Sequence, residues 1–310
     1  VLLAKVDGTW AKTATIDIDN SNANVYMNYS EHVLYNKSKE TTWTYTTLNG
    51  NTFLNESIHT FSISTDEILT LTPNFSSVVN TNGFINKSST MLSIAVMYKD
   101  DLSNYYVLVR IFAIDSENEY PQIGNDIYIS SPTSISFGGA TIYNANTYKI
   151  NVNISSYQNR VLIDSSFFYP EIYHFSKDNN IWAGHQLHQY ELALSSIAKI
   201  FVRLSDDGNF IVLSLSSNVA TLINEYNTLI NLKHGYGLID IYQYDGVNWK
   251  LNTSFLGDNG ASSNKTLGEK GFILNGTESG IILNSRTKCV LMETVLDVTV
   301  YNITVSDQGF

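Results

Sequence analysis

The four tryptophans of this 310-residue chain occupy one kind of position, directly after a short polar turn that follows a strand-like segment. They are Trp10, Trp43, Trp182 and Trp249. A rare residue that recurs in one local context indicates an internal repeat, and a repeat decides the whole architecture. Tyr120 and Phe310 take the same position in two further copies, and from Trp43 onward these aromatic residues are 61 to 77 residues apart.

Each copy begins with two apolar runs separated by a cluster of Asn, Asp, Ser or Gly, which is typical of a β-hairpin. Such hairpins are predicted at 14–29, 61–75, 148–165, 200–216 and 271–285. A third strand follows each hairpin and leads into the turn and the aromatic residue, within 32–43, 106–120, 171–182, 238–249 and 296–310. The segment after the aromatic residue supplies a fourth strand.

Four antiparallel strands repeated about an axis form a β-propeller, in which neighbouring sheets cover each other's apolar faces. The sequence therefore predicts an all-β fold, a single propeller domain over 1–310 with about five (five to seven) four-stranded blades. Since Trp10 lies outside the regular series, we expect 1–12 to complete the sheet begun by 296–310 and to close the ring. A further sheet around 91–102 would raise the blade count.

Two stretches, 189–200 and 220–232, have apolar residues that fit either a short helix or a strand. We expect inserted loops there, with a helical turn or two at most. A Gly-, Ser- and Asn-rich stretch at 256–270 is also typical of a loop that leaves the ring.

The segment 201–251 carries the most specific motif of the chain. It contains RLSDDGNFIVLSLS and, further on, LIDIYQYDGVNWKL. This pattern resembles the FG-GAP-type propeller repeats of integrin α chains and of related surface and virion proteins of large DNA viruses and marine microbes. The matching residues are Ser205, Asp207, Gly208, Tyr242, Asp245, Gly246 and Trp249. The resemblance implies a propeller, and with it an extracellular or virion-surface location; it implies no particular ligand.

The composition limits the classes of partner. Charged residues make up only 15% of the chain, its net charge is −11, and it contains four arginines. Phosphate contacts need Lys and Arg, so nucleic acid and anionic membrane are excluded as main partners. No apolar run approaches the roughly 20 residues of a membrane span. A polar surface built from Asn, Ser and Thr favours an extracellular, glycan-covered protein over a cytosolic enzyme.

Asn-X-Ser/Thr sequons are frequent, and we predict that several carry N-linked glycans if the protein is secreted or displayed on a virion. They are Asn28, Asn36, Asn55, Asn74, Asn86, Asn153, Asn252, Asn264, Asn275 and Asn302. Asn36, Asn264 and Asn275 fall in predicted turns, where an attached sugar would stay in water. The number of sequons is only slightly above the chance expectation for so Asn-rich a chain, so a coding bias is the alternative explanation.

A carbohydrate-active enzyme is the alternative function. Asp17, Asp164, Asp240 and Asp297 lie on or beside predicted strands and could converge at a propeller axis, as glycoside hydrolase carboxylates do. Nothing in their spacing selects a pair, and most strand carboxylates are ordinary surface groups. The turn 176–182 resembles the Asp box of sialidase-like propellers, but that motif is structural, and the chemistry needs an arginine triad as well. No catalytic residue is predicted.

The residues that could act as metal ligands are better explained without a metal ion. The segment 17–22 alternates oxygen-bearing side chains as a Ca²⁺ loop does, yet it lacks the glycine and distal Glu of that motif, so a solvated hairpin is favoured. His185, His188 and Glu191 have the spacing of a metal cluster on a helix, but an exposed or structural role is favoured. The lone Cys289 is predicted to be a small buried apolar residue. No metal and no cofactor is predicted.

These observations favour a non-enzymatic, surface-exposed glycoprotein module for binding or assembly, such as a virion or cell-surface structural or attachment protein. The expected partners are other protein subunits of a surface assembly, or a host glycan or receptor. The 20 tyrosines and 14 phenylalanines suit contacts with protein or sugar. The alternative use of these aromatic residues is packing between sheets.

Overall fold

The computed structural model describes most of the strand-forming parts of the chain. The described residues are 2–6, 9–14, 23–27, 32–37, 39–49, 52–53, 58–86, 88–115, 119–131, 136–137, 140–141, 150–155, 160–165, 171–186, 191–194, 198–205, 207–217, 220–223, 229–232, 238–256, 272–275, 280–284, 289–292 and 300–303. Side chains are described at 26, 32–37, 39–47, 58–86, 88–115, 119–130, 150, 152–155, 160–163, 171–184, 202–205, 207–213 and 240–252.

The described residues form strands and one short helix, α1 (Thr65–Leu71). The strands are β1 (Leu2–Val6), β2 (Thr9–Ala14), β3 (Ala23–Met27), β4 (His32–Lys37), β5 (Thr42–Asn49), β6 (Thr52–Phe53), β7 (His59–Ser62), β8 (Phe75–Ile85), β9 (Met91–Asp100), β10 (Tyr105–Ala113), β11 (Ile127–Ser131), β12 (Ser136–Phe137), β13 (Ala140–Thr141), β14 (Ile150–Ile154), β15 (Arg160–Ser165), β16 (Glu171–Ser176), β17 (Ile181–Gln186), β18 (Glu191–Leu194), β19 (Ala198–Leu204), β20 (Phe210–Ser217), β21 (Ala220–Ile223), β22 (Leu229–Leu232), β23 (Leu238–Tyr244), β24 (Trp249–Leu256), β25 (Phe272–Asn275), β26 (Gly280–Asn284), β27 (Cys289–Met292) and β28 (Val300–Ile303). The fold is therefore all-β, as predicted.

The chain divides into two units, Val1–Ser130 and Ser131–Phe310. In the first unit, sheet I contains β3, β4 and β5 in that order, with β6 and β7 both paired to β5, and sheet II contains β8, β9, β10 and β11. The hairpin β1–β2 forms a small sheet of its own. The strand pairs are antiparallel, and sheet II runs without a crossover from its first strand to its fourth.

The second unit contains three four-stranded antiparallel sheets. Sheet III is β14–β15–β16–β17, sheet IV is β19–β20–β23–β24, and sheet V is β25–β26–β27–β28. A three-stranded sheet, β18–β21–β22, uses the segment between β20 and β23, and β12–β13 is a short hairpin. The stretches 189–200 and 220–232 thus contain strands, so the expectation of inserted loops with a helical turn or two is wrong there, and the strand that their apolar residues also fitted is correct.

Several predicted elements are confirmed. The hairpins 148–165, 200–216 and 271–285 are β14–β15, β19–β20 and β25–β26. The segment 91–102 contains β9, a middle strand of sheet II, which also contains the strand predicted within 106–120, so the additional sheet suspected there is wrong. The third strand predicted within 296–310 is wrong: the apolar run of β27 pairs with β26 as the third strand, and β28 follows as the fourth.

Two predicted hairpins differ from the structure. In 61–75 the second strand is replaced by α1, because Ser64 and Glu67 form a capping box: the Ser64 side chain accepts the Glu67 N–H at 3.2 Å, and Glu67 accepts the Ser64 N–H at 2.7 Å. Ile68 anchors the helix, since its side chain is fully buried. The hairpin 14–29 is also wrong for the strands described there, since β2 pairs with β1 and β3 pairs with β4.

The middle strands of these sheets are buried on both faces. Every residue from Met91 to Tyr98 on β9 is inaccessible to solvent, although successive side chains point to opposite faces of the sheet. Residues 161–163 on β15 and 211–213 on β20 are buried as well. On one side of sheet II the core contains Leu34, Trp43, Tyr45 and Phe61 of sheet I. A strand with no exposed face requires cover on both sides of its sheet.

Consecutive sheets meet through their first two strands and the first strand of the next sheet. In the first unit β3 and β4 contact β8, and in the second unit β14 and β15 contact β19, which in turn contacts β25. Stacking of this kind is what a radial arrangement of sheets requires. The blade count and the closure of a ring by 1–12 and 296–310 stay predictions, because Phe310 and its neighbours lie outside the described residues.

Candidate functional site

The clearest constellation of polar and aromatic side chains lies between sheets III and IV. It is formed by Arg160, His174, Gly208, Asn209, Tyr244 and Trp249, and we call it the III/IV junction. The turns β14–β15, β19–β20 and β23–β24 bring these residues to the same end of the two sheets, since the Tyr244 N–H donates to the Asn209 carbonyl at 2.9 Å.

The β19–β20 turn is built by Asp207 and Gly208, two residues of the resemblance motif. The Asp207 carboxylate accepts the Ser205 hydroxyl and, at 2.9 Å, the Asn209 N–H. Gly208 has a φ of +72°, which a residue without a Cβ adopts at no steric cost. A Cβ on Gly208 would also lie 3.0 Å from the Ser155 Cβ of sheet III. Gly208 therefore allows both the conformation of the turn and the close packing of the neighbouring sheet III.

The β23–β24 turn repeats this construction with Asp245 and Gly246. The Asp245 carboxylate accepts the Asn248 N–H at 2.8 Å and the Val247 N–H at 2.9 Å, and it forms an ion pair with Lys250. The backbone bond from Asn248, followed by the Lys250 ammonium, holds the pKa of Asp245 well below its usual range. Five of the seven motif residues of 201–251 thus belong to the two turns, whereas Tyr242 lies on β23 and Trp249 on β24.

Arg160 connects the two sheets. Its guanidinium donates from Nη1 to the Gly208 carbonyl and, at 2.8 Å, to Oδ1 of Asn209, and its Cζ lies 4.1 Å from the ring centroid of Tyr244. Only 7% of Arg160 is exposed, and its Nε has no hydrogen-bond partner among the described residues. Burial lowers the pKa of Arg160, while Tyr244 and Asp207 act in the opposite direction. A desolvated cation on an aromatic face is strongly held.

His174 lies beside Arg160 and faces the same neighbours. The two residues are directly opposite each other on β16 and β15. The imidazole ring centroid is 4.8 Å from that of Tyr244, and the indole Nε1 of Trp249 donates to Nε2 of His174 at 3.0 Å. Because indole is a donor only, this Nε2 carries no proton in the structure. The contact with Trp249 is therefore satisfied by the imidazole tautomer that carries its proton on Nδ1.

A second constellation lies on sheet II of the first unit. Tyr98, Tyr106 and Tyr128 stack across β9, β10 and β11, with ring centroids 5.4 Å and 6.1 Å apart. The Thr72 hydroxyl is 3.0 Å from the Tyr98 hydroxyl and 3.4 Å from that of Tyr128. Tyr98 is fully buried and Tyr128 is 38% exposed, so this tyrosine row leads from the core to the surface. Burial raises the pKa of Tyr98, which keeps its hydroxyl neutral.

Asp100 organises the turn next to the tyrosine row. Its carboxylate accepts the N–H groups of Leu102 at 2.9 Å and Asn104 at 2.8 Å, and the Tyr106 hydroxyl at 3.0 Å. Burial alone would raise the pKa of Asp100, but the hydrogen bonds from Asn104, Tyr106 and Leu102 outweigh it and lower the pKa. The turn holds Leu102 in an exposed position, with 77% of its surface accessible.

The predicted turn aromatics are mostly packing residues. Trp43 is buried in the core between sheets I and II, and Trp182 is buried against Phe175. Tyr120 packs on Tyr45 and Phe61 with centroid distances of 5.3 and 5.5 Å. Trp249 belongs to the III/IV junction. Trp10 lies on β2 opposite Lys5, and Phe310 lies outside the described residues.

The sequons fall into distinct environments. Asn74 and Asn252 are exposed, whereas Asn36, Asn86 and Asn153 are buried. The expectation that the Asn36 side chain lies in water is wrong: its Nδ2 donates to Thr81 Oγ1 at 2.9 Å. Asn275 is on β25 and Asn302 on β28, while Asn28, Asn55 and Asn264 lie outside the described residues. Occupancy by glycans stays a prediction.

The carboxylates considered for hydrolase chemistry are not brought together by any described contact. Asp240 is buried on β23 and Asp164 is on β15, while Asp17, Asp297 and the whole of 17–22 lie outside the described residues. Their convergence stays a prediction.

The histidine spacing considered for a metal site does not lie on a helix. His185 is on β17 and Glu191 on β18, strands of two different sheets, and His188 lies outside the described residues. The described part of the chain contains no group of three or more His, Cys, Asp or Glu that could hold a metal ion. Cys289 is on a strand, β27, as predicted.

Sequence reasoning missed Arg160 and His174, because neither belongs to a motif. The sequence did contain one usable signal. If β15 and β16 are paired as adjacent antiparallel strands, Arg160 and His174 lie opposite each other. Within the described residues no helix has the length and apolar character needed to cross a bilayer.

Comparison with known proteins assigns no family. No protein-family model matches the chain, and no curated protein matches it. Among solved structures, the Cps50 (Swd1) β-propeller domain of Myceliophteria thermophila is 9% identical, with 92% of this chain and 87% of that chain covered and a TM-score of 0.35. The fission yeast SREBP–SCAP binding domains are 12% identical, with 94% and 80% covered and a TM-score of 0.37.

The mitotic checkpoint complex contains a further similar chain, which is 11% identical, with 99% of this chain and 89% of that chain covered and a TM-score of 0.31. These TM-scores are below 0.5 and the identities are low, so the likenesses carry no weight in assigning function. The FG-GAP resemblance stays a prediction. The chain is an all-β protein of repeated four-stranded antiparallel sheets.

Proposed function

We propose that this chain is a β-propeller module that assembles with other protein subunits and is displayed as a glycoprotein on a cell surface or virion. It acts by contact and not by catalysis. The observation that carries the proposal is the exposure of three large apolar side chains, Leu71 at the end of α1, Leu102 in the β9–β10 turn and Tyr128 on β11, which we together call the Tyr128 patch. These side chains are 47%, 77% and 38% exposed.

The propeller is supported by burial and by the order of sheet contacts. Strands β9, β15 and β20 have no exposed face over their central residues. The first strands of sheets III, IV and V contact one another in sequence. A ring in which each sheet is covered by two neighbours accounts for both observations. Deletion of 1–12 should then abolish cooperative melting, and an unchanged melting curve would contradict ring closure.

The Tyr128 patch has the properties of a contact surface for protein. Large apolar side chains that stay exposed together mark interaction sites, and tyrosine combines an apolar ring with a polar tip. Tyr128 is held by its stacking on Tyr106 and by Thr72, so little side-chain freedom remains to be lost on binding. Leucine at two of the three positions favours protein over sugar as the occupant.

The test uses protein isolated from its natural source. Size-exclusion chromatography with mass spectrometry measures the assembly mass and the glycan mass in one experiment, and we expect an assembly whose subunits bury more than about 1,000 Å². The double variant Leu102→Asp/Tyr128→Asp should fold, because both residues are exposed, but should be excluded from the assembly. The matched control is Ile181→Asp, since Ile181 is 47% exposed and lies in the other unit.

Two results would overturn the proposal. One is incorporation of the double variant into the assembly with the efficiency of the natural chain. The other is a monomer without sugar that cleaves members of a glycan panel, which would favour the carbohydrate-active alternative.

A further inference from the structure

Asn74 is the first residue of the sequon 74–76 and lies between α1 and β8. Its carbonyl accepts the Asp101 N–H at 3.0 Å, and its Nδ2 donates to Oδ2 of Asp100 at 3.3 Å. Asn74 is exposed although it makes both contacts. The two hydrogen bonds therefore hold an exposed sequon against the β9–β10 turn, which carries Leu102.

All three members of the Tyr128 patch are close to Asn74. Leu71 precedes it by three residues, a length of chain that spans at most about 11 Å. The Thr72 hydroxyl, two residues before Asn74, is 3.4 Å from the Tyr128 hydroxyl. Leu102 directly follows the residue whose N–H the Asn74 carbonyl accepts, and consecutive Cα atoms are about 3.8 Å apart. The sequon thus adjoins each exposed side chain of the patch.

We propose that an N-linked glycan on Asn74 covers the Tyr128 patch, so that chains with this glycan stay unassembled and chains without it assemble. The role of the patch in assembly rests on the proposed function, whereas the coverage of the patch by the sugar does not. Assembled copies should therefore be bare at Asn74. They should carry their sugar at sites far from the patch in sequence, such as Asn252, which is exposed in the second unit.

The attachment is a group transfer to the side-chain amide of Asn74. In a secretory pathway, Nδ2 forms a bond to the anomeric carbon of a lipid-diphosphate-linked oligosaccharide. The bond between that carbon and the diphosphate oxygen breaks, and Nδ2 releases one hydrogen as a proton. An asparagine amide has two such hydrogens, so the remaining one can still donate to Asp100. The glycan is thus compatible with the hydrogen bond that holds the amide beside Leu102.

A glycan at this position excludes a protein partner from the patch. A standard interface covers about 800 Å² on each partner, which is the area of a circle with a radius of about 16 Å. Asn74 lies inside such a circle centred on the patch, because Leu71 and Leu102 are both closer to it than that radius. N-linked glycans are bulky and solubilising. The sugar therefore separates the two protein surfaces and shields the exposed leucines from them.

The first experiment tests the coverage on isolated chains and needs no partner. The natural chain, Ser76→Ala and Ser76→Thr are secreted from eukaryotic cells. Ala removes the sequon and Thr keeps it, at an exposed position that leaves the Asn74 side chain in place. Hydroxyl-radical labelling read by mass spectrometry should show a loss of labelling at Leu102 and Tyr128 in the two glycosylated chains relative to Ser76→Ala. Val247, which is 75% exposed in the second unit, should be labelled equally in all three.

The second experiment produces the same chains in the natural source of the protein and measures assembly by size-exclusion chromatography with mass spectrometry. Sugar on Asn74 should be confined to the unassembled fraction, and Ser76→Ala should be incorporated at least as fully as the natural chain. Asn252→Gln is the matched control. It removes an exposed sequon of the second unit and should leave incorporation unchanged.

Three results would overturn the proposal: equal labelling of Leu102 and Tyr128 with and without the glycan, sugar on Asn74 in assembled copies, or an Asn74 that is bare in every fraction. A failure of the proposed function looks different. In that case the glycan still reduces labelling at both residues, but neither the natural chain nor Ser76→Ala assembles.

Discussion

A Cβ atom on Gly83 would lie 2.8 Å from Cζ3 of Trp43, so the glycine of β8 and the indole of β5 fit directly against each other. The same atom would lie 2.6 Å from Cδ2 of Leu34. Trp43 and Leu34 are fully or almost fully buried, and neither has space into which it can move. The absence of a side chain at Gly83 on sheet II therefore leaves the space that the Trp43 indole of sheet I occupies.

Gly83→Ala should destabilise the first unit by about 1–3 kcal/mol, because an added methyl group in a filled core forces its neighbours off their preferred rotamers. Urea unfolding followed by tryptophan fluorescence measures this loss. Ser76→Ala is the control, since Ser76 is exposed on the same strand and should change stability by no more than about 0.5 kcal/mol. A Gly83→Ala chain as stable as the control would show that the two sheets do not meet at this glycine.

Gly208→Ala should cost more stability than Gly246→Ala. Both glycines have positive φ, +72° and +100°, so both variants carry a backbone penalty of about 1 kcal/mol or more. Only Gly208 has a neighbour in the way, because its Cβ would lie 3.0 Å from the Ser155 Cβ, whereas that of Gly246 meets nothing within 4 Å. The difference between the two variants in thermal unfolding thus measures the fit between sheets III and IV. Equal losses would contradict that fit.

Glu67 should contribute to the stability of the first unit above its ordinary pKa and lose that contribution in acid. The hydrogen bond from the Ser64 backbone, supported by Arg110, lowers the pKa of Glu67 in the folded chain. Protons therefore bind the unfolded chain more readily, and stability declines as the pH falls below about 4.3. Glu67→Gln should flatten this decline in Tm, which thermal unfolding between pH 3 and pH 6 measures. The effect is small, because Glu67 is half exposed and solvent screens the Arg110 pair.

Glycans should be found on the exposed sequons and not on the buried ones. Expression through a eukaryotic secretory pathway should attach sugar to Asn74 and Asn252, and Gln at either position should remove one glycan mass from the intact protein. Asn86 should stay bare, since its Oδ1 accepts the N–H groups of Thr90 and Met91 and its side chain is fully buried. Asn86→Gln should instead cost about 1–3 kcal/mol. Sugar on Asn86 of the folded protein would contradict this assignment.

The repeated sheets of the second unit could be predicted because their turns are explicit in the sequence. Asp207-Gly208 and Asp245-Gly246 each separate two apolar runs, which predicts a turn. Both glycines do adopt positive φ. Helix α1 was not predicted because Ile68, Leu69 and Leu71 form a second apolar run after Thr65-Asp66-Glu67, which is the pattern of a hairpin strand. The decisive signal there was local and polar: Ser64 followed three residues later by Glu67.

The III/IV junction could not be predicted, for a physical reason. Arg160 meets the Gly208 carbonyl across 48 residues of sequence, and His174 meets Trp249 across 75. Such contacts depend on how two folded sheets pack against each other. A local sequence pattern contains no information about that packing. The burial of Asn36 could not be predicted for the same reason, since its partner Thr81 is 45 residues away on another sheet.

The burial of β9 on both faces has a consequence for how a chain of this kind can diverge. A residue exchange on such a strand disturbs one of two packed interfaces, so strand sequences are tightly restrained. Exposed side chains at the turn tips, such as Leu102 and Val247, meet no such restraint. Relatives of this chain should therefore keep their sheets nearly unchanged while acquiring new recognition properties through a few loop substitutions.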